Sequence, residues 1–358
     1  MKQITLKLPK STIHDCRIVI GDHVMEKTNR LLDLKKYSSV FVVTDEHIGS
    51  LFLKTLLSAL PKGTAFIILP TGEKEKHLNS VEKIITAMHK AGCDRHALVI
   101  NLGGGVITDI GGFAASIFMR GVDVLNIPTT LLSMTDAAIG GKNGVNFSGV
   151  KNLIGTIRQP IGVLIDIACL TTLPKREFLS GFAEIIKHGL IKDESFFRLV
   201  VSKKPDQFST SELVKIISRS CEIKAAIVAS DEREQSERKL LNFGHTVGHA
   251  VEALSLETKK PMLHGEAVAV GMIVESKISQ LIGLLTEKDF DIVMEKVLPL
   301  THAIKNVDVE LLLNKIQSDK KKHGKQVQWT LLESIGHAVI NQTVDDDIIK
   351  KAYENISH

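Results

Sequence analysis

The sequence predicts an α/β domain over residues 1–175, followed by a mainly α-helical domain over residues 176–358. In the first part, apolar runs typical of strands alternate with segments of helical spacing. Near-continuous apolar strands of this kind indicate a parallel sheet that is covered on both faces. From about residue 176 onward, helical periodicity dominates instead. We expect the two parts to share one tight cleft, which is a favoured place for a small-molecule site.

The strands and helices can be assigned in chain order. A helix is predicted over residues 79–92 and stops at Gly92, which is a C-terminal signal. The second part carries helical segments at 176–191, 211–230, 245–255 and 265–285, and a late hairpin is predicted from residues 326–332 and 337–344. The strand-like runs of the first part are RIVIGD (17–22), SVFVVTDEHI (39–48), TAFIILPTGE (64–73), HALVINLGGG (96–105), VDVLNIPTTLL (122–132) and GVLIDIACL (162–170).

Composition excludes several classes of protein. Aromatic residues make up only 4% of the 358 residues, so no stacking platform for nucleic-acid bases is visible, and a net charge of +4 is mild for this length. No apolar run approaches a membrane span or a signal peptide, so we expect a cytoplasmic protein. The four cysteines are scattered without a CxxC pair, which predicts buried free thiols rather than disulfides or a thiolate metal site: Cys16, Cys93, Cys169 and Cys221.

A glycine turn suggests a site for a dinucleotide. Gly103, Gly104 and Gly105 follow an apolar strand and precede a predicted helix, whose N-terminal N–H groups could meet a pyrophosphate. The run departs from GxGxxG because Thr108 occupies the last position, so a simple strand–helix turn is an equal alternative. Asp45 and the pair Thr129-Thr130 lie at other strand ends, and in an open α/β sheet such ends line one crevice.

Histidines and one glutamate in the second part suggest a metal site. His245 and His249 are four residues apart, so on a helix they share a face. His264 and Glu184 lie in other segments, and two histidines with one glutamate suit catalytic zinc. A polar patch without metal is the alternative, and spacing alone cannot choose among these residues, His188 and His323.

Cationic and amide side chains suggest an anion-binding face. Arg238, Asn242, His245 and His249 would form one stripe if a single helix spanned them, although Gly244 could instead mark a helix start. In a cleft, such cations could hold phosphate and carboxylate groups. For any single lysine a solvated surface role is the alternative, which applies also to the basic run 319–325. The other candidates are Arg120, Lys142, Lys151, Asn152 and Lys187.

Taken together, these motifs resemble the 3-dehydroquinate synthase family of sugar-phosphate cyclases. The resemblance runs from about Asp45 to Gly336, and its strength comes from the number and order of the segments. Departures are also visible, such as Ala137-Ala138 where the family commonly has two serines. The segments are GEKEK, GGGVITD, FMRG, PTTLLSMTD, GGKNGVN, KNLIG, LPKREFLSGFAEIIKHGLI, CEIKA, DEREQSERKLLNFGHTVGHAVE, LHGEAVAVGM and DKK.

The resemblance implies a Rossmann-like NAD-binding domain, a helical metal- and substrate-binding domain, and usually a homodimer. It implies Zn2+, or Co2+, on Glu184, His245 and His264. It assigns the substrate to Arg120, Lys142, Asn152, Lys187, Lys224, Arg238, Asn242, His249 and either Lys320 or Lys321. It assigns NAD to Asp45, Glu73, Lys76, Gly104, Gly105, Val106, Ile107, Thr108, Asp109, Thr129, Thr130, Asp136, Lys142, Lys151, Cys169, Leu170, Thr171 and Thr172.

The implied reaction converts 3-deoxy-D-arabino-heptulosonate 7-phosphate, a small acidic sugar phosphate, into 3-dehydroquinate and phosphate. NAD would be regenerated in each turnover, so that no net oxidation occurs. Three alternatives stay open at this point: a related cyclase acting on sedoheptulose 7-phosphate, a metal-dependent polyol dehydrogenase, and a non-catalytic nucleotide- or RNA-binding protein. Only the basic residues Lys320–Lys322 favour the last of these.

Overall fold

The chain folds into two compact units. The computed structural model describes residues 1–6, 15–256, 258–301, 308–323 and 327–356, and of residues 318–323 it describes the backbone alone. The first unit comprises Met1–Pro174 and Ser209–Ala229, and the second comprises Lys175–Phe208 and Ser230–His358. Residues 209–229 thus follow the sequence-based boundary near residue 175 but belong in space to the first unit.

A seven-stranded sheet forms the centre of the first unit. Its order is β1-β2-β9-β6-β5-β3-β4, and every neighbouring pair is parallel except β1 and β2. This confirms the predicted parallel α/β sheet. The strands among the described residues are β1 (Lys2–Leu6), β2 (Cys16–Gly21), β3 (Val40–Asp45), β4 (Ala65–Leu69), β5 (Leu98–Gly103), β6 (Asp123–Pro128), β7 (Lys142–Phe147), β8 (Val150–Ile157), β9 (Gly162–Asp166), β10 (Trp329–Ser334) and β11 (His337–Gln342).

Helices cover the sheet and build most of the second unit. All six residues of both β3 and β5 are buried, which explains why these strands are apolar at nearly every position. The helices are α1 (Thr28–Leu31), α2 (Glu46–Ile48), α3 (Lys54–Ser58), α4 (Leu78–Lys90), α5 (Gly105–Ile117), α6 (Lys175–Lys192), α7 (Glu194–Val200), α8 (Thr210–Ser230), α9 (His245–Ser255), α10 (His264–Leu281), α11 (Glu287–Val297), α12 (Val309–His323) and α13 (Asp346–Glu354).

Helix α8 belongs to the first unit because its side chains bond to that unit's loops and first strand. The Cys221 thiol lies 3.5 Å from the carbonyl oxygen of Met134. The Lys224 ammonium pairs with the carboxylate of Asp136, and Glu222 pairs with Lys2. Helical periodicity predicts the helix, but it carries no information about which unit the helix joins.

The described part of the chain agrees with two simpler expectations. Cys16, Cys93, Cys169 and Cys221 are all free thiols and all buried. Among the described residues, none of the helices is both long enough and apolar enough to cross a membrane.

Candidate active site

Glycines bring three helices of the second unit close together. A Cβ atom on Gly265, in α10, would overlap the backbone carbonyl of Ser180 in α6. A Cβ atom on Gly271 would overlap the carbonyl of Gly244, which directly precedes α9. On Gly248, in α9, it would lie 3.1 Å from the carbonyl oxygen of Ala267. Helices α6, α9 and α10 therefore approach through backbone contacts that only glycine permits.

One predicted metal-ligand residue projects from each of these three helices. The Nε2 atoms of His245 and His264 lie 3.7 Å and 3.5 Å from the same carboxylate oxygen of Glu184. The two imidazole rings are 5.3 Å apart between centroids. One donor atom from each of the three residues is therefore close enough to the others for a single ion to bind all three.

Helix α9 adds a second possible group, because His249, Glu252 and His264 also converge. His264 decides between the two groups, since each of its ring nitrogens faces one carboxylate. Nε2 faces Glu184, and Nδ1 lies 3.4 Å from Glu252. A histidine that binds metal through one nitrogen usually donates its other N–H to a carboxylate. The side that also holds His245 thus fits the ion, and Glu252 fits the orienting role.

The electrostatics of the group fit a divalent cation. Burial alone would raise the pKa of Glu184, but Lys187 and the two histidines hold it well below its usual value. Burial and the Lys187 ammonium lower the pKa of His245, which keeps this ring neutral and ready to bind metal. Burial alone would lower the pKa of His264, but its contacts with Glu184 and Glu252 raise it to about 9.

Glu184 itself is the clearest sign that a ligand belongs here. The side chain is fully buried, and within the described chain neither of its carboxylate oxygens accepts a hydrogen bond of good geometry. Lys187, one turn along α6, forms an ion pair with it. Buried carboxylates are normally hydrogen-bonded or bound to metal. The residues present therefore fit a divalent metal with an open position.

The anion-binding stripe is not one helix. The preceding 3-10 turn ends at Asn242, and Gly244, with φ +80°, is the N-cap of α9, which begins only at His245. Arg238 and Asn242 lie before that break. The expectation of a single helical face is therefore wrong, and the alternative that Gly244 marks a helix start is confirmed.

Arg238 and Asn242, the two residues before the break, are nevertheless fixed by hydrogen bonds. Arg238 is 3% exposed, and its guanidinium donates to the carbonyl oxygen of Glu232 at 2.5 Å. Asn242 donates to the carboxylate of Glu234 at 2.8 Å. The carboxylate of Asp231 accepts the backbone N–H of Arg238 at 3.1 Å. The sequence analysis did not single out Glu234 or Asp231, although both lie in the DERE segment that carries the resemblance.

The glycine turn lies where three neighbouring strands of the first unit end. Strand β5 stops at Gly103, whose carbonyl accepts the backbone N–H of Thr129 at the end of β6. Gly104 is the N-cap of α5 and offers no capping side chain, so the first N–H groups of that helix stay available. Thr108 fits in the helix because its hydroxyl donates to the carbonyl of Gly105. Val106 and Ile107 continue the same turn of helix.

Other expected NAD residues lie in the same unit as this turn. Lys76 forms a 2.5 Å ion pair with Asp109, and burial raises the pKa of Asp109 to about 6. Glu73 accepts a hydrogen bond from Asn146 at 2.9 Å. Asp45 ends β3, as expected, and caps α2 by accepting the backbone N–H of Ile48 at 3.0 Å. Apart from Lys142 and Lys151, the remaining residues of this expected set are Thr130 and Asp136, and the segment Cys169, Leu170, Thr171 and Thr172 that follows β9.

A hairpin of β7 and β8 carries three more expected site residues. Lys142 begins β7, and Lys151 and Asn152 lie near the start of β8, all with exposed side chains. Asn152 has φ +54°, and its backbone N–H donates to the side chain of Asn146 at 2.9 Å. Sequence reasoning missed this hairpin because glycine and asparagine weaken its strand signal.

Two further substrate assignments fall in the first unit. Arg120 is exposed and has φ +68°, while Lys224 pairs with Asp136. The assignments to Lys320 and Lys321 concern side chains that lie outside the described residues. Lys187, Arg238, Asn242 and His249 lie in the second unit with the metal ligands.

Two family models together match most of the chain. A family model described as 3-dehydroquinate synthase N-terminal matches residues 66–180, and one described as 3-dehydroquinate synthase C-terminal matches residues 181–322. The chain belongs to the 3-dehydroquinate synthase family. A curated 3-dehydroquinate synthase from Thermodesulfovibrio yellowstonii is 40% identical over 331 residues, which cover 90% of this chain and 91% of the relative.

Solved structures of sugar-phosphate cyclases share the fold. The 2-epi-5-epi-valiolone synthase from Streptomyces hygroscopicus, with NAD+ and Zn2+ bound, is 30% identical with a TM-score of 0.84, covering 98% of each chain. A 2-deoxy-scyllo-inosose synthase, complexed with carbaglucose-6-phosphate, NAD+ and Co2+, is 24% identical with a TM-score of 0.87, covering 99% of each chain. The second likeness shows the fold alone.

Proposed function

We propose that this chain is a 3-dehydroquinate synthase that uses NAD and one divalent metal, Zn2+ or Co2+. It converts 3-deoxy-D-arabino-heptulosonate 7-phosphate into 3-dehydroquinate and inorganic phosphate, as a lyase of the shikimate pathway. The observation that carries the proposal is the group of Glu184, His245 and His264, with Glu184 fully buried, in a chain of this family. The solved 2-epi-5-epi-valiolone synthase structure, which holds NAD+ and Zn2+, supports the choice of NAD and a divalent metal.

The chain's own residues have separable tasks in the two units. When bound, NAD supplies a reversible oxidation of one substrate hydroxyl, and the metal lowers the pKa of that hydroxyl. In the first unit, the free N–H groups at the start of α5 and the buried Lys76–Asp109 pair hold the dinucleotide. In the second unit, Glu184, His245 and His264 hold the metal.

Cationic side chains bind the anionic groups of the substrate and so hold the reacting groups in position for each step. Arg238 suits this role because it is 3% exposed and anchored to Glu232, which leaves its fork little freedom to move. His249, one turn after His245, binds substrate or relays a proton. Departure of phosphate leaves charge that the cations stabilise. The other proposed substrate residues are Arg120, Lys142, Asn152, Lys187, Lys224, Asn242 and one of Lys320 and Lys321.

The setting of the enzyme is also a proposal. We propose that it acts in the cytoplasm as a homodimer. Its partner is then a small phosphorylated acid rather than a nucleic acid or a membrane. The scarcity of aromatic side chains and the mild net charge of +4 support this choice.

A decisive experiment follows both products at once. Purified protein is incubated with NAD, Zn2+ and 3-deoxy-D-arabino-heptulosonate 7-phosphate, and phosphate and dehydroquinate are measured together. The proposal expects both in equal amounts, without lasting NADH. The 30% identity to a 2-epi-5-epi-valiolone synthase makes a related cyclase the second candidate. If sedoheptulose 7-phosphate alone releases phosphate, the cofactors stand and the substrate assignment is wrong.

A further inference from the structure

Both metal-binding histidines are the first residues of their helices. His245 opens α9 and His264 opens α10. The first N–H groups of a helix have no partner within it, and they give that end a partial positive charge. Such an end is unfavourable beside a divalent cation unless hydrogen-bond acceptors cover its N–H groups.

A glutamate covers the first turn of each of these helices. Glu266, within the first turn of α10, accepts the backbone N–H of Leu263 at 2.8 Å and also pairs with Arg176. For α9 the covering residue is Glu275, which lies on α10 and is fully buried. One of its carboxylate oxygens accepts the N–H of Gly244 at 2.6 Å, and the other accepts the N–H of Val247 at 3.1 Å.

The N-cap position of α9 cannot supply this cover itself. Gly244 has φ +80°, and a Cβ atom there would lie 2.7 Å from Met272 and 3.0 Å from the carbonyl oxygen of Val268. A serine or aspartate, which usually caps a helix start, is therefore excluded. The hydrogen-bond acceptor has to come from the neighbouring helix, and Glu275 lies opposite.

The contacts of Glu275 bracket His245. Gly244 is the residue before this histidine, and Val247 is two residues after it, so the carboxylate fixes the backbone on both sides of the ligand. Burial raises the pKa of Glu275 to about 8, while the N–H groups of Val247 and Gly244 oppose that rise. The Lys187 ammonium also acts on this carboxylate.

We propose that Glu275 is a positioning residue of the metal site, which holds His245 in its ligand orientation by accepting the backbone N–H groups on both sides of it. The inference rests on the proposed metal-ligand set of Glu184, His245 and His264. It adds a buried hydrogen-bond acceptor beyond the ligands themselves. Partners in this outer position typically change metal affinity about 10- to 100-fold when they are removed.

The test measures metal affinity without catalysis. Glu275→Gln keeps the size of the side chain but puts an amide N–H donor against one of the two backbone donors. Zn2+ affinity is measured by competition with a chromogenic chelator, and the visible spectrum of the Co2+-loaded protein reports the ligand geometry. We expect affinity to fall about 10- to 100-fold and the Co2+ spectrum to shift.

Asp193→Asn is the matched control. Asp193 caps α7 in the same unit by accepting the backbone N–H of Phe196 at 3.0 Å, and it is not one of the proposed ligands. The substitution makes the same change from carboxylate to amide at a helix start. We expect it to lower the melting temperature while leaving Zn2+ affinity and the Co2+ spectrum at their wild-type values.

The outcomes separate this inference from the proposed function. If wild type and Glu275→Gln bind Zn2+ equally well, Glu275 is only a helix cap and the inference is wrong. If wild type binds no divalent metal, the proposed metal site fails and the inference fails with it. Should Glu275→Gln not fold, Glu275→Asp keeps the carboxyl group but shortens the reach. Wild-type affinity in that variant overturns the inference, and a clear loss supports it.

Discussion

Nδ1 of His264 lies 3.4 Å from a carboxylate oxygen of Glu252. This contact fixes the ring so that its Nε2 points at Glu184. A carboxylate behind a ligand histidine sets both its tautomer and its orientation. The two carboxylates that flank His264 therefore have different roles, and single substitutions can separate them.

Glu184→Gln should abolish stoichiometric Zn2+ binding, whereas Glu252→Gln should weaken it by about 10- to 100-fold. The reason is that, in the proposed site, Glu184 is a metal ligand and Glu252 only orients the ligand His264. Metal content after dialysis, together with chelator competition, measures both. His337→Ala is the control, since this histidine is exposed and pairs with Glu333. If Glu252→Gln loses all metal while Glu184→Gln keeps it, the ligand set is the other group.

Gly265→Ala should lower both stability and metal affinity. Its new methyl group would overlap the backbone of Ser180 and push α10 away from α6, which carry His264 and Glu184. Overpacking of this kind typically lowers the free energy of unfolding by about 1–3 kcal/mol. Gly49→Ala is the control, because Gly49 is helical and its Cβ atom would meet only Thr44 and Ile68 at ordinary distances. Unchanged Zn2+ affinity in Gly265→Ala would contradict the close-packing argument.

The free energy of unfolding of Asp109→Asn, relative to that of wild type, should increase as the pH rises from about 4 to about 6. Burial raises the pKa of Asp109 to about 6 despite Lys76, and the charges of Glu73 and Asp136 add to the rise. A raised pKa means that wild type gains stability while this group is protonated and loses it as the group ionises. The variant lacks that loss, which amounts to at most about 3 kcal/mol.

Calorimetric melting at pH 4, 5, 6 and 7 tests this expectation. The melting temperature of Asp109→Asn minus that of wild type should increase with pH up to about 6 and then level off. A difference that stays constant over this range would show that Asp109 ionises as an ordinary carboxylate.

Arg238→Ala should raise the KM for the sugar phosphate by about 10- to 100-fold, because a buried charged hydrogen-bond donor is lost. Binding of NAD, followed by calorimetric titration, should be unchanged. Arg198→Ala, at an exposed arginine that pairs with Glu194, is the matched control. Loss of NAD binding in a folded Arg238→Ala protein would overturn the assignment of this residue to substrate.

Asn152→Gly should lose turnover while it keeps thermal stability. The backbone at this position has φ +54°, a conformation that glycine adopts more readily than other residues. The substitution therefore removes the side chain without adding strain. Ser148→Gly, at φ +49° in the same hairpin, is the control and should keep activity. Full activity in Asn152→Gly would remove this residue from the substrate site.

Sequence patterns predicted the elements of this fold better than the relations between them. The apolar runs of β3 and β5 were clear because both strands are buried on both faces. Periodicity assigned α8 as a helix, but its place in the first unit depends on bonds such as that between Cys221 and Met134. Local spacing carries no record of such distant contacts.

The same limit applies to the candidate site. Spacing alone placed His245 and His249 on a shared face, but it could not say which ring meets Glu184. That choice depends on how α6, α9 and α10 pack, and therefore on Gly265 and Gly271. Glu252 and Glu275 escaped notice for a similar reason, since a single buried glutamate in a helix leaves no periodic signature.

The order in which the chain passes through the two units limits where it can be cut or recombined. The backbone leaves the first unit at residue 174, re-enters it at 209 and leaves again at 229. Cutting the chain once, at any point, leaves part of one unit attached to the other. A fragment ending near residue 175 would lack the helix that supplies Lys224 to Asp136. Recombination between relatives should therefore preserve function only when it exchanges residues 209–229 together with the N-terminal segment.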